Sequence, residues 1–517
     1  MKQNSLYKAV FFPSIIVLIA AILCMIVIPE ATASAVNWIF TFLTYDFGWL
    51  YLLIFVVCCV AAVWIGTSRF GRIRLGEEKK QYSEASWAAM MFTAGLGVGL
   101  IVQSFVEPLY FLSAPPFHVE AMSDKAYEFA HMYSQFLWGP MGWACYVPAT
   151  IAVAWTLYIK KQPSLRLSAS CEPVLGKHTN GILGKLVDII VVVGMVGGNA
   201  TSLGLGVPIV ATLICRLTGI KISIWLTVGI LLTWFVVFGS ATFFGMDKGI
   251  KRLSTFNMYT LFAFIVVIVL VSPVLDILNL EMNSIGLMID NLGMLLLGTD
   301  PITQSGFPQN WTVFYWAWML TFIPVMALFT ARISRGRTIR QVVFGEAIWG
   351  GVGCMSAFAL FGGYSLFLQR SKKVDLVGIL AEGGREKAIV AILETLPMAE
   401  VMMVVYVVLL FLFLATTIDS TSMMLASVCT KNLRSTEEPA RWHRVLWSLI
   451  LMLMALGLSV VGGLQVIQTA SLIVGAPLIA VAVIAIIAVK KQFKTYERDS
   501  LPQDFPVHTP TTRRNLP

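Results

Sequence analysis

The segment WTVFYWAWMLTFIPVMALFTARISRGRTIR, residues 311–340, decides the fold class of this chain. Its first two-thirds are apolar and rich in tryptophan, and its end carries four arginines: Arg332, Arg335, Arg337 and Arg340. An uncharged run of about 20 residues is long enough to cross the hydrocarbon core of a bilayer. Arginines that directly follow such a run hold its end in the cytoplasm. The segment therefore predicts a membrane-spanning helix with an aromatic middle that suits an organic cation.

The composition places the whole chain in a membrane. Hydrophobic residues make up 57% of the sequence, charged residues only 13%, and the mean hydropathy is +0.80. Soluble domains carry roughly 25% charged residues. Apolar runs of spanning length occur at residues 10–28, 47–66, 86–112, 136–159, 183–217, 222–241, 256–275, 311–331, 345–369, 399–429, 445–463 and 466–489. We therefore predict an all-α polytopic membrane protein with twelve transmembrane helices.

The orientation follows from the loops, because lysine and arginine stay in the cytoplasm during insertion. Basic residues cluster after every second span, at 69–80, 160–177, 248–252, 332–340, 431–444 and 490–498. The connections at 29–46 and 277–310 contain neither residue, whereas the connection at 370–387 is basic and disagrees with the pattern. The pattern predicts an inner or plasma membrane protein with both termini cytoplasmic. Its net charge of +9 then reflects topology and not a nucleic-acid partner.

Three glycines, Gly95, Gly97 and Gly99, alternate in the third span within MMFTAGLGVGLIVQSFVEPLYF, residues 90–111. Glycine weakens a helix, and a bilayer tolerates exposed backbone only where it lines a cavity or is buried in protein. Broken helices of this kind mark binding sites in transporters, and their free N–H groups suit a substrate carboxylate. The alternative is close helix packing, although the spacing differs from the usual small-xxx-small pattern.

Aromatic residues in the fourth and eighth spans are candidates for a cation cage. A quaternary ammonium group has no N–H donors, so ring faces and dispersion must hold it. The fourth span offers Trp138, Trp143 and Tyr146, and the eighth offers Trp316 and Trp318. The alternative for the fourth span is a belt of aromatic residues at the membrane interface.

Three motifs together resemble the betaine/choline/carnitine transporter family. They are ARISRGRTIR at 331–340, the GxGxG run followed by Glu107 and Pro108, and TTID at 416–419. The resemblance covers residues 10–490. It implies a LeuT-like fold of two inverted five-helix repeats, formed by spans 3–7 and 8–12, with two peripheral N-terminal helices. It also implies a homotrimer.

This resemblance divides the chain into five parts. They are an N-terminal tail with the peripheral spans (1–85), the first repeat (86–276), an extracytoplasmic amphipathic connector (277–310), the second repeat (311–489) and a cytoplasmic tail (490–517).

In the family, the positions of Trp138, Trp143 and Tyr146 belong to the substrate box. The eighth span should complete it, but this chain departs from the family pattern there. Met319 stands where a tryptophan is expected, and Phe322 replaces a position that is often tryptophan. Methionine has no ring face, so the loss of one wall is worth about 0.5–2 kcal/mol of cation affinity. The solute is therefore predicted to be a betaine-like quaternary ammonium compound or a related zwitterion, such as a sulfonium, amino or sulfonate compound.

Energy coupling is predicted from the tenth span, where Thr416 and Thr417 precede Asp419. Threonine hydroxyls are hard oxygen donors, although they often bond only to their own helix. The resemblance implies a sodium site in which these two hydroxyls join carbonyls at the positions of Thr93, Leu96 and Phe413.

Sodium-independent exchangers of the family place an arginine in the seventh span, at the position that Met258 occupies here. Met258 therefore favours sodium symport over antiport of substrate and product, of the carnitine/butyrobetaine type. The segment NATSLGLG at 199–206 predicts either a second cation site or helix packing.

An enzyme in the membrane would need converging acid, base, nucleophile or metal groups. The spans offer only isolated acids, such as Glu107, Asp188 and Asp419, and the five histidines never occur at HxxxH spacing. We therefore predict a transporter and not an enzyme. We also expect no zinc-type metal centre and no cofactor, with sodium as the coupling ion.

Overall fold

The computed structural model describes residues 5–94, 97–162, 164–243, 247–431, 433, 437–462 and 464–500. Within these residues the regular structure is helical, and the strand-like pairings are two isolated bridges, Leu6–Thr430 and Arg74–Thr338. The predicted all-α class is therefore confirmed.

Within the described residues, the first half of the chain contains thirteen α-helices. They are α1 (Lys8–Val27), α2 (Pro29–Thr41), α3 (Gly48–Thr67), α4 (Glu84–Ala94), α5 (Val98–Ser113), α6 (Asp124–Trp138), α7 (Pro140–Trp143), α8 (Val147–Tyr158), α9 (Leu167–Ser170), α10 (Glu172–Leu175), α11 (Ile182–Thr218), α12 (Ile224–Phe243) and α13 (Asp247–Val271).

The second half contains nine more. They are α14 (Val274–Asp290), α15 (Leu292–Leu297), α16 (Phe314–Ile333), α17 (Ile339–Ala357), α18 (Gly363–Arg370), α19 (Leu376–Glu394), α20 (Ala399–Val428), α21 (Arg441–Val461) and α22 (Leu464–Ser500). A π-helical turn precedes α16 at Gln309–Val313, and another joins α17 to α18 at Phe358–Gly362.

Most of the twelve predicted spans coincide with long apolar helices. Among the described residues, eight helices are long and apolar enough to cross a membrane, and two bent helix pairs raise that number to ten. One bent pair is α4 with α5, which falls on the third predicted span, and the other joins the last part of α13 to α14. The fourth predicted span is divided among α6, α7 and α8. The count of twelve and the two inverted repeats remain predictions.

Helix α11 lies at the centre of the bundle and packs through its glycines. A Cβ on Gly198 would lie 1.9 Å from the Thr321 hydroxyl of α16, and one on Gly197 would lie 2.8 Å from Val474 of α22. Small residues let helix backbones approach closely in a membrane, where water provides no hydrophobic drive. Within segment 199–206, a Cβ on Gly204 would lie 3.2 Å from Ile467 of α22, so close helix packing also occurs there.

The polar residues of segment 199–206 also join helices. The Thr201 hydroxyl lies 2.8 Å from the Ser471 hydroxyl of α22, and the Asn199 side-chain oxygen accepts a hydrogen bond of 2.9 Å from Thr421 of α20. Each contact connects α11 to a helix of the second half of the chain.

The ARISRGRTIR motif forms the connection between α16 and α17. Its Arg337 is almost fully buried and ion-pairs with Glu84 at the start of α4. The guanidinium group also lies 4.1 Å from the ring centroid of Trp87 and donates to the carbonyls of Tyr82 and Ser83. A planar guanidinium group can stack on a ring and donate several hydrogen bonds at the same time. The motif therefore fixes α4 to the α16–α17 junction.

The basic connection that disagreed with the orientation pattern contains helix α19. This helix is interrupted at Gly384, where φ is +71°, and the next residue, Arg385, is buried. Its guanidinium group donates to the Gly204 carbonyl of α11 at 3.4 Å. At least one of the discordant charges is therefore buried within the helical bundle and does not lie in an open loop.

Candidate solute and ion sites

The alternating glycines coincide with an interruption between α4 and α5. Helix α4 ends at Ala94, Gly97 has an extended backbone (φ −139°, ψ −179°), and α5 begins at Val98. Gly95 and Leu96 lie outside the described residues. A Cβ on Gly97 would meet no atom of the described residues within 4 Å, so space adjoins the start of α5 in this part of the structure.

Helix α16 presents an aromatic residue to this interruption. A Cβ on Gly99 would lie 2.8 Å from the Cη2 atom of Trp318, so the absence of a side chain lets the indole reach α5. The Trp318 indole N–H donates to the Gly198 carbonyl of α11 at 3.1 Å. The ring is thus fixed between the broken span and the central helix.

Several rings adjoin Trp318 directly or through Trp138, and Phe314 stacks on Trp318 at 5.7 Å. We define the Trp318 cluster as Trp138, Tyr315, Trp318, Phe322 and Phe358. The Trp138 and Trp318 rings meet edge to face, with centroids 5.5 Å apart and an interplanar angle of 88°. Tyr315 and Phe358 lie 5.5 and 5.6 Å from Trp138, and Phe322 lies 6.1 Å from Trp318. A ring face in this arrangement offers the negative side of its quadrupole to a cation.

A buried carboxylate fixes two of these rings. Glu107 of α5 accepts a hydrogen bond from the Tyr315 hydroxyl and one of 3.3 Å from the Trp138 indole N–H. Gln103 donates in turn to the Tyr315 oxygen at 3.0 Å. The second Glu107 oxygen, Oε1, is buried and has no hydrogen-bond partner among the described residues. Glu107 therefore orients Trp138 and Tyr315 and leaves one oxygen without a partner.

The other predicted box residues lie around α7. We define the Trp143 cluster as Trp143, Tyr146 and Met319. The Trp143 and Tyr146 rings meet edge to face at 5.5 Å, and a Cβ on Gly350 of α17 would overlap the Trp143 ring at 2.3 Å. Met319 lies against Gly142, where a Cβ would be 2.8 Å from its sulfur.

The structure thus separates Trp138 from Trp143 and Tyr146. The reason is local: α6 ends at Trp138, Gly139 is extended, and α7 begins with Pro140. A proline at the first position of a helix cannot continue the preceding one, because it has no N–H and needs a fixed φ.

Trp316 belongs to neither cluster. Its fully buried ring stacks on Phe55 of α3 at 4.2 Å and meets Phe136 edge to face at 5.5 Å. Two positions along a helix correspond to a rotation of roughly 200°. Trp316 and Trp318 therefore face different sides of α16.

The predicted sodium residues lie on α4 and α20. The Thr416 hydroxyl donates to the Phe413 carbonyl at 2.9 Å, and the Thr93 hydroxyl donates to the Ala89 carbonyl at 2.8 Å. Thr417 is half-buried, and its hydroxyl forms no hydrogen bond within the described part of the chain. Leu96 lies outside that part.

A glycine of α11 brings the interrupted span close to α20. A Cβ on Gly206 would lie 2.5 Å from Val98, the first residue of α5, and 3.2 Å from Leu414 of α20. Leu414 directly follows Phe413. The interruption and the hydroxyl-bearing turn of α20 are therefore neighbours, as an ion site shared by both would require.

The three isolated acids do not converge. Glu107 contacts the Trp318 cluster, Asp188 ion-pairs with Arg166 at 3.4 Å, and Asp419 ion-pairs with Arg444 at 2.9 Å. These separate pairings do not form a set of acid and base groups around one substrate.

Residues 9–498 match the family model described as BCCT, betaine/carnitine/choline family transporter. The chain belongs to the BCCT family. It is therefore a multi-pass membrane protein of a family of transporters and not of enzymes, and its family carries small quaternary ammonium solutes.

The structure describes two residues at which the sequence is predicted to depart from the family pattern. Met319 contributes a thioether where a ring is expected, and the structure places it against Gly142. Met258 of α13 is 37% exposed.

Sequence reasoning missed three residues that the structure places at or near the aromatic clusters: Gln103, Tyr315 and Glu346. Nothing in the sequence sets Tyr315 and Gln103 apart from the other residues of the apolar runs in which they lie. Glu346 does, because it is the single acidic residue between positions 345 and 369. An ionisable residue inside a membrane span is a functional hypothesis by default.

Proposed function

We propose that this BCCT member imports a betaine-like quaternary ammonium compound or a related zwitterion by sodium symport through alternating access. The observation that supports this proposal most directly is the buried edge-to-face pair of Trp138 and Trp318 beside a glycine-interrupted helix. As part of the same proposal, the protein forms a homotrimer in the inner or plasma membrane, with both termini in the cytoplasm.

We assign the ammonium group to the Trp318 cluster. A cation without N–H donors can be held by charge, by dispersion and by ring faces, and this cluster supplies the ring faces. The hydrogen bonds from Trp138 and Tyr315 to Glu107 hold those rings in place before the solute arrives. Rings that are already oriented lose little entropy on binding.

The solute's anionic group is assigned to the first turn of α5. The first N–H groups of a helix lack partners within the helix, and the helix dipole adds positive potential there. The open space beside Gly97 leaves room for such a group. The Trp143 cluster remains in the proposal as the wall that closes on the solute in another state of the cycle.

The sodium ion is assigned to Thr93, Leu96, Phe413, Thr416 and Thr417. The donors are carbonyl and hydroxyl oxygens, which suit a hard cation. A hydroxyl that donates to a carbonyl, as Thr416 does to Phe413, still offers lone pairs to an ion. Thr417 has its hydroxyl available in full.

Uptake into proteoliposomes tests this function. The panel is glycine betaine, choline, carnitine, dimethylsulfoniopropionate and taurine, each measured with sodium outside, with potassium outside, and after preloading with unlabelled solute. Uptake that requires sodium supports symport. Uptake that requires only preloading overturns the sodium assignment and makes the protein an antiporter.

The threonine pair gives a matched test of the ion site. We expect Thr417→Ala to raise the sodium concentration for half-maximal uptake about tenfold. The loss of one ligand oxygen should cost about as much as the loss of one hydrogen bond to a charged group. Thr416→Ala should have a smaller effect on the same measurement, because its hydroxyl already serves Phe413. Equal sodium dependence in Thr417→Ala and the unmodified protein would remove Thr417 from the site.

A further inference from the structure

Glu346 of α17 is a second buried carboxyl group that the proposed function does not use. Its side chain is fully buried. The Thr150 hydroxyl of α8 donates to Oε1 at 2.9 Å, while Oε2 has no hydrogen-bond partner among the described residues. A carboxylate buried in this way is costly unless a cation neutralises it.

The helices packed around Glu346 supply hydroxyl, thiol and ring groups. The Thr330 hydroxyl of α16 approaches the carboxyl group and also donates to the Met91 sulfur of α4 at 3.8 Å. Two titratable groups from the connection between α7 and α8, Cys145 and Tyr146, are near enough to interact electrostatically with Glu346.

No basic side chain in the described part of the chain forms an ion pair with Glu346. On the same helix, the guanidinium group of Arg340 donates to the Gly66 carbonyl at 2.7 Å. Arg337 in the preceding turn ion-pairs with Glu84. Arg337 and Arg340 therefore direct their charges away from Glu346.

A proton fits this site better than a metal cation does. Sodium needs several oxygen ligands, whereas the polar partners of Glu346 among the described residues are the two hydroxyls of Thr150 and Thr330. A proton needs one oxygen, and Oε2 is available. Protonation also removes the uncompensated charge.

Glu346 is connected to the Trp143 cluster through its own helix. Gly350 lies four residues further along α17 and therefore on the same face. The Trp143 ring rests on Gly350, and Gly351 lies against Pro140 at the start of α7. Any separation of α17 from α7 and α8 would both expose Glu346 and displace Trp143.

We propose that Glu346 is a proton-binding site coupled to the solute cycle. It takes a proton from water on one side of the membrane, forming an O–H bond at the carboxyl group. It holds that proton while α8, α16 and α17 are closed around it, and the O–H bond breaks when the helices separate and admit water. This inference rests on the proposed transport function.

The test compares uptake by unmodified protein, Glu346→Gln and Glu394→Gln in proteoliposomes, across a series of pH values at constant sodium. Glutamine keeps the size of Glu346 but cannot exchange a proton. Glu394 is an exposed acid that pairs with Arg216, so its variant controls for the loss of one charge. We expect the pH dependence of uptake, about fivefold or more, to be lost only in Glu346→Gln.

Infrared spectroscopy of the purified protein supplies a direct measurement. We expect a carboxylic acid C=O band in unmodified protein that changes when solute binds and that is absent from Glu346→Gln. The same pH profile in Glu346→Gln and unmodified protein would overturn the proposal, even if the band disappears, because Glu346 would then be protonated without being coupled. If Glu346→Gln does not assemble, Glu346→Asp should shift the midpoint of the pH profile, and an unshifted midpoint overturns the proposal.

Solute counterflow at constant pH separates the two proposals. If unmodified protein shows no counterflow with any solute of the panel, the transport function itself fails. If counterflow is normal and the pH profile does not depend on Glu346, only the proton site fails.

Discussion

The two aromatic clusters differ in how their buried carboxyl groups are held. Glu107 accepts hydrogen bonds from two rings of the Trp318 cluster, whereas Glu346, near the Trp143 cluster, accepts one from the hydroxyl of Thr150. Both groups are fully buried, and each has one oxygen without a hydrogen-bond partner in the described ranges. Ring donors fix a carboxyl group within the aromatic network, whereas the hydroxyl neighbours of Glu346, Thr150 and Thr330, can rotate when its proton leaves or returns. We therefore interpret Glu107 as a positioning residue and Glu346 as an exchangeable site.

The largest effect is expected from Trp318→Ala. The ring forms the edge-to-face pair with Trp138 and reaches Gly99 of the interrupted span. A buried cation–π contact is worth about 2 kcal/mol, so the Kd for a quaternary ammonium solute should rise about 30-fold. Equilibrium binding to purified protein measures this change.

Trp316→Phe is the matched control for that prediction. Its ring stacks on Phe55 and faces away from the Trp318 cluster. We expect a change in Kd of less than about threefold. If Trp316→Phe weakens binding as much as Trp318→Ala, the assignment of the solute to the Trp318 cluster is wrong.

The next effect tests the positioning role of Glu107. In Glu107→Leu the Trp138 indole and the Tyr315 hydroxyl lose their acceptor, whereas Glu107→Gln keeps one oxygen for them. A hydrogen bond is worth about 0.5–1.5 kcal/mol and two are lost, so we expect the Kd to rise about tenfold in Glu107→Leu and less in Glu107→Gln. Tyr315→Phe should reproduce part of the loss. Binding titrations, together with tryptophan fluorescence as a readout of ring environment, distinguish this role from simple destabilisation.

Equal losses in Glu107→Leu and Glu107→Gln would contradict the positioning role. They would show that the negative charge itself, and not the acceptor geometry, supports binding. The interpretation of Glu107 as a positioning residue, in contrast to Glu346, would then be wrong.

Hydropathy was sufficient to predict where most helices lie. The predicted tenth span, 399–429, corresponds to α20 (Ala399–Val428), and the third was correctly expected to break at its glycines. Chain length and apolar runs decide these features, because a bilayer of fixed thickness admits few alternatives. The family was also identified correctly from short motifs.

The relative placement of the aromatic side chains could not be predicted in the same way. Trp316 and Trp318 are two residues apart, yet one meets α3 and the other meets α5 and α11. The rotation of α16 depends on close contacts such as that of Gly198 with Thr321, which join residues distant in sequence. For the same reason, periodicity alone could not show that Gly139 separates Trp138 from Trp143.

Among substitutions within the two clusters, the smallest effect is expected from Met319→Ala. This variant tests whether the Trp143 cluster contributes to solute affinity in the same way as the Trp318 cluster. Met319 has no ring quadrupole, and its sulfur packs against Gly142 of α7. A thioether contact is worth about 0.3–1.5 kcal/mol, so we expect the Kd to rise only about threefold. The same binding titration measures the change, with Trp318→Ala beside it as the reference. An effect as large as that of Trp318→Ala would mean that the solute's cation rests against Met319, and the ammonium group would then belong between the two clusters and not within the first.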